Sequence, residues 1–253
     1  MNPEERFSRR VRDYLLYRPG YPDAAVDWLW THAQLSAAPD IADIGSGTGL
    51  LTEHLLQRGA TVHGVEPNDA MRSAGAQVLS RHAAFHSVAG RAEETGLPDA
   101  SVDLVVAAQA FHWFDRPRTR VEFARILRPG GWVAILWNER RTGGGGFLHA
   151  YEELLLRYGT DYAAVDHRNI TDDDLGVFFG GPFQYFACDN LQRLDESGLL
   201  GRVLSCSYVP GEGEPGYGEL LDAVHALYRD YGQDGGVVIE YDTQLYLGQL
   251  SGH

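Results

Sequence analysis

The sequence predicts an α/β protein: a mostly parallel sheet with helices on both faces. Three observations carry the prediction. Short apolar runs alternate with segments of helical period, the pattern of successive βα units. Residues 41–66, IADIGSGTGLLTEHLLQRGATVHGVE, read as strand, glycine loop, helix, strand and terminal carboxylate. Residues 101–108, SVDLVVAA, are nearly all apolar, which suits a strand covered on both faces.

Taken in order, residues 1–35 form a helical arm ahead of the first strand. Phe7, Val11, Tyr14 and Leu15 recur at helical spacing, and the prolines of Tyr17-Arg18-Pro19-Gly20-Tyr21-Pro22 end that helix. Asp23 can cap a second helix through Val26, Leu29 and Trp30. The first strand is Ile41 to Ile44, and Gly45, Gly47 and Gly49 follow at alternate positions. Lacking a Cβ, they permit a tight turn and close approach of backbone N–H groups to a ligand. The helix behind them ends near Gly59, and a second strand from Thr61 to Val65 terminates in Glu66. A carboxylate there can accept hydrogen bonds from two vicinal ribose hydroxyls. The stretch is thus the first half of a nucleotide-binding βαβ unit.

Beyond Glu66, Pro67 opens a loop and Asp69 can cap a helix from Ala70 to Arg81. A third strand spans His86 to Ala89, and a fourth ends at Ala108 before Gln109-Ala110-Phe111-His112-Trp113-Phe114. Ligands in open α/β sheets gather at the carboxyl ends of strands, so Gln109 and His112 are site candidates. Trp113 and Phe114 either wall the pocket or fill core beneath the loop. A helix from Pro117 to Arg128, a turn at Leu127 to Gly131 and a fifth strand from Trp132 to Trp137 follow. The glycine tract 143–146 reads as a connection, not a phosphate loop. Helices at Phe147 to Tyr158 and Ile170 to Phe179 make an insertion over residues 143–182. The acidic run Asp172-Asp173-Asp174 fits a helix N-terminus better than a metal site. The sixth strand is expected at Phe183 to Ala187, a helix at Asp195 to Leu204, another at Tyr217 to Tyr231, and a last strand at Val237 to Leu247. There is no internal repeat and no sign of a second domain core.

Composition narrows the function classes. The 253 residues are 44% hydrophobic and 22% charged, which suits one globular domain. A net charge of −14 argues against tight binding to a nucleic-acid backbone or an anionic membrane, although a local basic patch would suffice for RNA. The two cysteines, Cys188 and Cys206, could pair, but they make neither a disulfide framework nor a metal site. The charged N-terminus lacks the apolar core of a signal peptide, and no apolar run approaches the ~20 residues of a membrane span. A soluble cytoplasmic protein is expected, of unspecified oligomeric state.

The dinucleotide pattern is G-x-G-x-x-G, whereas here the third glycine comes one residue early and Asp43 stands two places before the first. This D-x-G-x-G-x-G pattern with its downstream acid resembles motif I of the class I S-adenosylmethionine-dependent methyltransferases. The segment R-I-L-R-P-G-G-W before an apolar strand resembles a second methyltransferase segment, in the right order and separation. NAD binding and a ligand-free glycine turn are the alternatives. The chain resembles the type-11 group, most strongly over residues 40–137. Its Y-R-P-G-Y-P arm and A-Q-A-F-H-W-F turn resemble the branch that includes trans-aconitate methyltransferase.

The resemblance implies a Rossmann-like seven-stranded sheet with the last strand antiparallel, an N-terminal helical lid and S-adenosylmethionine as cofactor. It implies a core over residues 36–142 and a C-terminal part of the sheet over 183–253. Asp43, Gly45, Ser46 and Gly47 would make the cofactor loop, Glu66 would hold the ribose, and Pro67 would flank it. Met71 would pack near the adenine or serve as ordinary core. Ala92 and Glu93 would meet the adenine edge, since many relatives carry an acid where this chain has Arg91. Tyr14 and Arg18 would meet the methionine carboxylate, or else belong to a surface helix. Gln109 would line the cofactor site, and His112 would line it or act as a base. The implied activity is methyl transfer to a small molecule, at a carboxylate or hydroxyl oxygen. RNA methylation, or cofactor binding without transfer, are the other readings.

Overall fold

The computed structural model describes residues 11–143, 145–160 and 167–251. Phe7 and the charged stretch around it, Gly144, and six residues of the 143–182 insertion lie outside the described residues. Seven strands form one sheet: β1 (Asp40–Ile44), β2 (Thr61–Val65), β3 (Phe85–Val88), β4 (Val102–Ala108), β5 (Leu127–Arg140), β6 (Phe183–Leu194) and β7 (Val237–Gly248). Their spatial order is β3-β2-β1-β4-β5-β7-β6. The first five are mutually parallel, and β7 runs antiparallel to both β5 and β6. The predicted Rossmann-like sheet with an antiparallel last strand is therefore the observed one. The order reverses direction at β1 and β4, the place where such sheets open a ligand crevice.

Nine α-helices connect or cover the strands among the described residues. They are α1 (Val11–Tyr17), α2 (Asp23–His32), α3 (Leu50–Gln57), α4 (Asp69–Val78), α5 (Arg116–Ile126), α6 (Gly146–Tyr158), α7 (Asp172–Phe179), α8 (Glu196–Leu204) and α9 (Tyr217–Tyr231). Alternation along the strands splits the core in two. Ile41, Leu104 and Leu136 face α2 and α3 through Val26, Leu29, Leu51 and Leu55. Ala42, Val105 and Ile135 face α5 and α7 through Phe123, Ile126, Phe178 and Phe179. A third cluster joins α6, α8 and α9 to the first residues of β7 through Tyr151, Leu199, Val224 and Ile239. The apolar stripes of α6 (Tyr151, Leu155) and α9 (Leu220, Val224, Leu227) supply much of it.

The third cluster exists because β6 is longer than its apolar start suggests. Its pairing with β7 continues to Leu194↔Val237, whereas the β5–β7 ladder stops at Arg140↔Tyr241. The two strands thus project as a ribbon beyond the carboxyl end of β5, and α6, α8 and α9 pack on the projection. Residues 188–194, CDNLQRL, alternate in exposure and carry too little apolar character to read as strand.

Local expectations shift in three other places. Asn68, not Asp69, caps α4, its side chain accepting the Met71 N–H at 2.9 Å. Pro22 holds the N-cap position of α2. Leu127 to Gly131 is the start of β5 instead of a turn: Leu127 pairs with Val102, and Arg128 bridges Asp40 and Asp103 at 2.8 Å each. The acidic run at 172–174 is, as expected, the first turn of α7, closed by a capping box between Thr171 and Asp174. Cys188 and Cys206 are not joined in a disulfide. No helix among the described residues is long and apolar enough to cross a membrane.

Candidate active site

Two cavities open at the carboxyl edge of the sheet, side by side. The first, about 250 Å³, is a cleft between the loops after β1, β2 and β4. Its floor is the glycine loop. Gly45, Gly47 and Gly49 all have positive φ (72°, 57° and 87°), which explains the choice of residue. A Cβ on Gly45 would lie 2.6 Å from the Ala110 Cβ, so the two loops meet only because this position is bare.

The loop's amides are used within the protein. Gly45 N and Ser46 N donate to the Val65 carbonyl at 2.8 and 3.2 Å, and Gly47 N donates to Glu66 Oε2 at 2.9 Å. Glu66 Oε1 accepts the Asn68 N–H at 2.8 Å. The buried Glu66 carboxylate is therefore held rigidly at the tip of β2, each oxygen accepting one backbone donor. An ionised carboxylate has about four acceptor sites, so one carboxylate can accept several donors at once. With three consecutive amides turned inward, the loop is not a pyrophosphate cradle.

Of the residues singled out in the sequence, Tyr14, Gly45, Gly47, Glu66, Pro67 and Met71 line this cleft, and so do Ala92, Glu93 and Gln109. Asp43 and Ser46 line neither cavity. Asp43 sits behind the loop, 1% exposed, where it accepts a 2.6 Å hydrogen bond from Thr52 Oγ1. Burial pushes its carboxyl up to about 7, against the Thr52 hydrogen bond and with help from the neighbouring Glu66 charge. The Ser46 hydroxyl packs over Gly64, where a Cβ would approach it to 3.1 Å. Glu93 spends one oxygen on the Asp115 N–H at 2.8 Å. The loop bearing Ala92 and Glu93 is anchored from below by Glu122, which accepts from Thr95 N at 2.8 Å and Thr95 Oγ1 at 2.6 Å. Burial would raise the Glu122 pKa, but hydrogen bonds from Arg125 and Thr95 hold it down at about 2.

The second cavity, about 150 Å³, lies under the projecting ribbon. Tyr14, Gln109 and Trp113 line both cavities and form the partition between them. Gln109 has φ +56°, a left-handed conformation rare outside glycine and costly, of the kind that clusters at working sites. Arg18 and His112 line the second cavity only. The arm reaches it because α1 lies on α8: Tyr17 packs where a Cβ on Gly201 would come within 2.1 Å of its ring. Polar ties fix the arm further. Gln192 Nε2 donates to the Tyr17 carbonyl at 2.8 Å, Asn138 and Asn190 donate to the Gly20 carbonyl at 3.0 and 2.9 Å, and Arg18 donates to the Ser205 carbonyl at 2.9 Å.

Sequence reasoning missed most of the far wall of this cavity: Asn138, Arg140, Arg202 and Tyr241. One signal was present. Leu199, Arg202, Val203 and Cys206 recur at helical spacing, so a lone arginine falls within a buried apolar stripe.

A family described as "Methyltransferase domain" matches residues 42–135. An uncharacterized methyltransferase of Mycobacterium tuberculosis is 42% identical over 138 residues, 53% of this chain and 52% of the relative, so the chain spans about half that relative's length. An uncharacterized methyltransferase of Geobacillus kaustophilus is 30% identical over 163 residues, 63% of this chain and 74% of the relative. Among solved structures, one described as a type II methyltransferase from Anaeromyxobacter dehalogenans superposes with a TM-score of 0.65 at 25% identity, covering 94% of this chain and all of that one.

Proposed function

The chain belongs to the class I S-adenosylmethionine-dependent methyltransferases, and we propose that it methylates a small molecule at a carboxylate or hydroxyl oxygen. The observation that carries the reading is the pair of cavities: a nucleoside-sized cleft ending in a fixed carboxylate, and a second chamber sharing Tyr14, Gln109 and Trp113 with it. A place in the branch that includes trans-aconitate methyltransferase rests on the arm and turn motifs alone.

The residues of the cleft fit the cofactor. Glu66 presents a rigidly held carboxylate to the cleft, a group able to accept from a ribose diol. The inward-turned loop amides suit an uncharged sugar better than phosphates. Pro67, Met71 and Phe114 offer apolar walls for a purine, with Ala92 and Glu93 at its edge. Arg18 and Tyr14 stand on the side of the partition where the amino-acid end would lie.

Bound S-adenosylmethionine supplies a methyl group on a positively charged sulfur that is its own leaving group. The protein's part is to orient and desolvate. Gln109 and Trp113 form the boundary the methyl crosses, and the arm closes the chamber above it. A carboxylate acceptor needs no base. For a hydroxyl acceptor, His112, which lines the chamber, would take the proton.

The test is transfer of isotopic methyl from labelled cofactor to a mixture of small metabolites, with RNA as a parallel substrate. The expected result is label in a small-molecule product. Label recovered in RNA would contradict the small-molecule reading. Label remaining wholly on bound cofactor would contradict transfer itself.

A further inference from the structure

The second cavity is electropositive in a protein of net charge −14, and its arginines are unequally satisfied. Arg140 and Arg168 are both paired with Glu152, and Glu139 is held by Gln244 Nε2 at 2.6 Å. Arg18 and Arg202 have no carboxylate partner among the described residues. Arg18 donates to the Ser205 carbonyl and stacks on Tyr14, while its Nε is buried without an acceptor. Arg202 is 5% exposed, yet its neighbours are tyrosine hydroxyls and a thiol: Nε meets Tyr241 Oη at 3.2 Å and Nη1 meets Cys206 Sγ at 3.2 Å.

A guanidinium cannot shed its charge, so burying one without an anion is costly. The surroundings register the imbalance. Burial alone would raise the Cys206 thiol, but Arg202 and Arg18 pull it down to about 7. A thiol is at best a partial counterion.

Counting charges separates the two arginines. The cofactor brings one carboxylate, at its amino-acid end. Arg18 comes from the arm, beside the Tyr14 partition, and can take that group. Arg202 of α8, Tyr208 of the loop after it and Tyr241 of β7 line only the second cavity. We propose that Arg202, flanked by Tyr208 and Tyr241, anchors a carboxylate of the methyl acceptor. The acceptor is then bifunctional. A carboxylate paired with a guanidinium is a weakened nucleophile held at the far wall, so the methylated atom is a different one, nearer Gln109 and His112. The small chamber favours a compact hydroxy acid or diacid. This inference rests on the reading of the neighbouring cleft as the cofactor site.

The experiment titrates matched probes into the full chain by calorimetry, with and without saturating S-adenosylhomocysteine. The probes are 4-hydroxybenzoate, succinate and malate, each beside its amide, with phenyl phosphate as a separate arm. At least one acid should bind about tenfold or more tighter than its amide. Arg202→Met should abolish that preference and Arg202→Lys retain part of it. Both variants should bind S-adenosylhomocysteine within about twofold of the parent, which also reports that they fold. Acids no better than their amides would overturn the proposal, and so would a preference for phenyl phosphate. Equal loss of acid and S-adenosylhomocysteine binding in Arg202→Met would reassign Arg202 to the cofactor's own carboxylate and overturn it as well. Failure of the parent to bind S-adenosylhomocysteine would instead count against the cofactor cleft, and the acid–amide comparison without it would still decide the anion site.

Discussion

Asp43 gives a prediction whose size follows from its surroundings. Its carboxyl is buried behind the glycine loop, with Thr52 Oγ1 as its hydrogen-bond donor. Its pKa rises from an ordinary 3.8 to about 7, mainly through burial. The folded protein therefore holds a proton that the unfolded chain has released. Where the native state binds more protons, stability falls as pH rises. The loss begins above the unfolded value near 4 and is complete just above 7. Between pH 5 and pH 8 the native group releases nearly a whole proton that the unfolded chain no longer carries. Integrating over that interval gives a loss of about 2.5 kcal/mol. Asp43→Asn cannot titrate. It keeps a carbonyl for Thr52 but leaves an amide N–H to be satisfied, at about 1–3 kcal/mol, a cost equal at both pH values. Urea unfolding of both proteins at pH 5 and pH 8 isolates the titration, because every other group cancels in the comparison. The variant should gain about 2.5 kcal/mol on the parent between the two pH values. A variant-minus-parent difference equal at both would refute the account of Asp43 as a buried, proton-holding carboxyl.

Two further predictions concern the walls of the site. Glu122→Gln should cost about 2 kcal/mol at pH 7 and weaken cofactor binding, because Glu122 anchors the loop carrying Ala92 and Glu93 through Thr95. Glu122 is depressed to about 2 in the folded state, so its contribution is fully present above pH 4.5 and disappears as pH falls through 2; acid unfolding of the two proteins should converge there. Gly201→Ala should loosen the arm: alanine favours the helix by about 1 kcal/mol, but its Cβ meets the Tyr17 ring at 2.1 Å. Amide exchange across residues 11–17 should speed by about tenfold or more, with little change in the sheet, and an unchanged rate would show that α1 is not held there.

What could be read in the sequence was whatever depends on neighbours in the chain. The glycine loop announced itself because a tight turn between adjacent parallel strands needs positive φ, and the buried strands announced themselves by continuous apolar runs. Glu66 was found because its position at the tip of β2 is fixed by strand length. Asp43 was legible as a buried acid, but its partner was not. An acid in a buried strand stands out whether it faces a ligand or a threonine, and here Thr52 holds it. The second cavity was scarcely readable, because its walls come together only in three dimensions. Arg18, Arg202 and Tyr241 belong to the arm, α8 and β7, and they meet because the β6–β7 ribbon outruns β5. The polar alternation of 188–194 hid that ribbon, and Gly201 gave no hint that it was a seat for Tyr17.

The central claim is that the carboxylate held by Gly47 and Asn68 grips the ribose of an adenosyl cofactor. Calorimetric titration of S-adenosylhomocysteine into the parent and Glu66→Gln tests it most directly. Losing the equivalent of one charge-assisted hydrogen bond, about 1.5–3 kcal/mol, should weaken binding by about ten- to a hundredfold in a variant that still melts cooperatively. Binding of equal strength in the two proteins, or no heat in either, would contradict it.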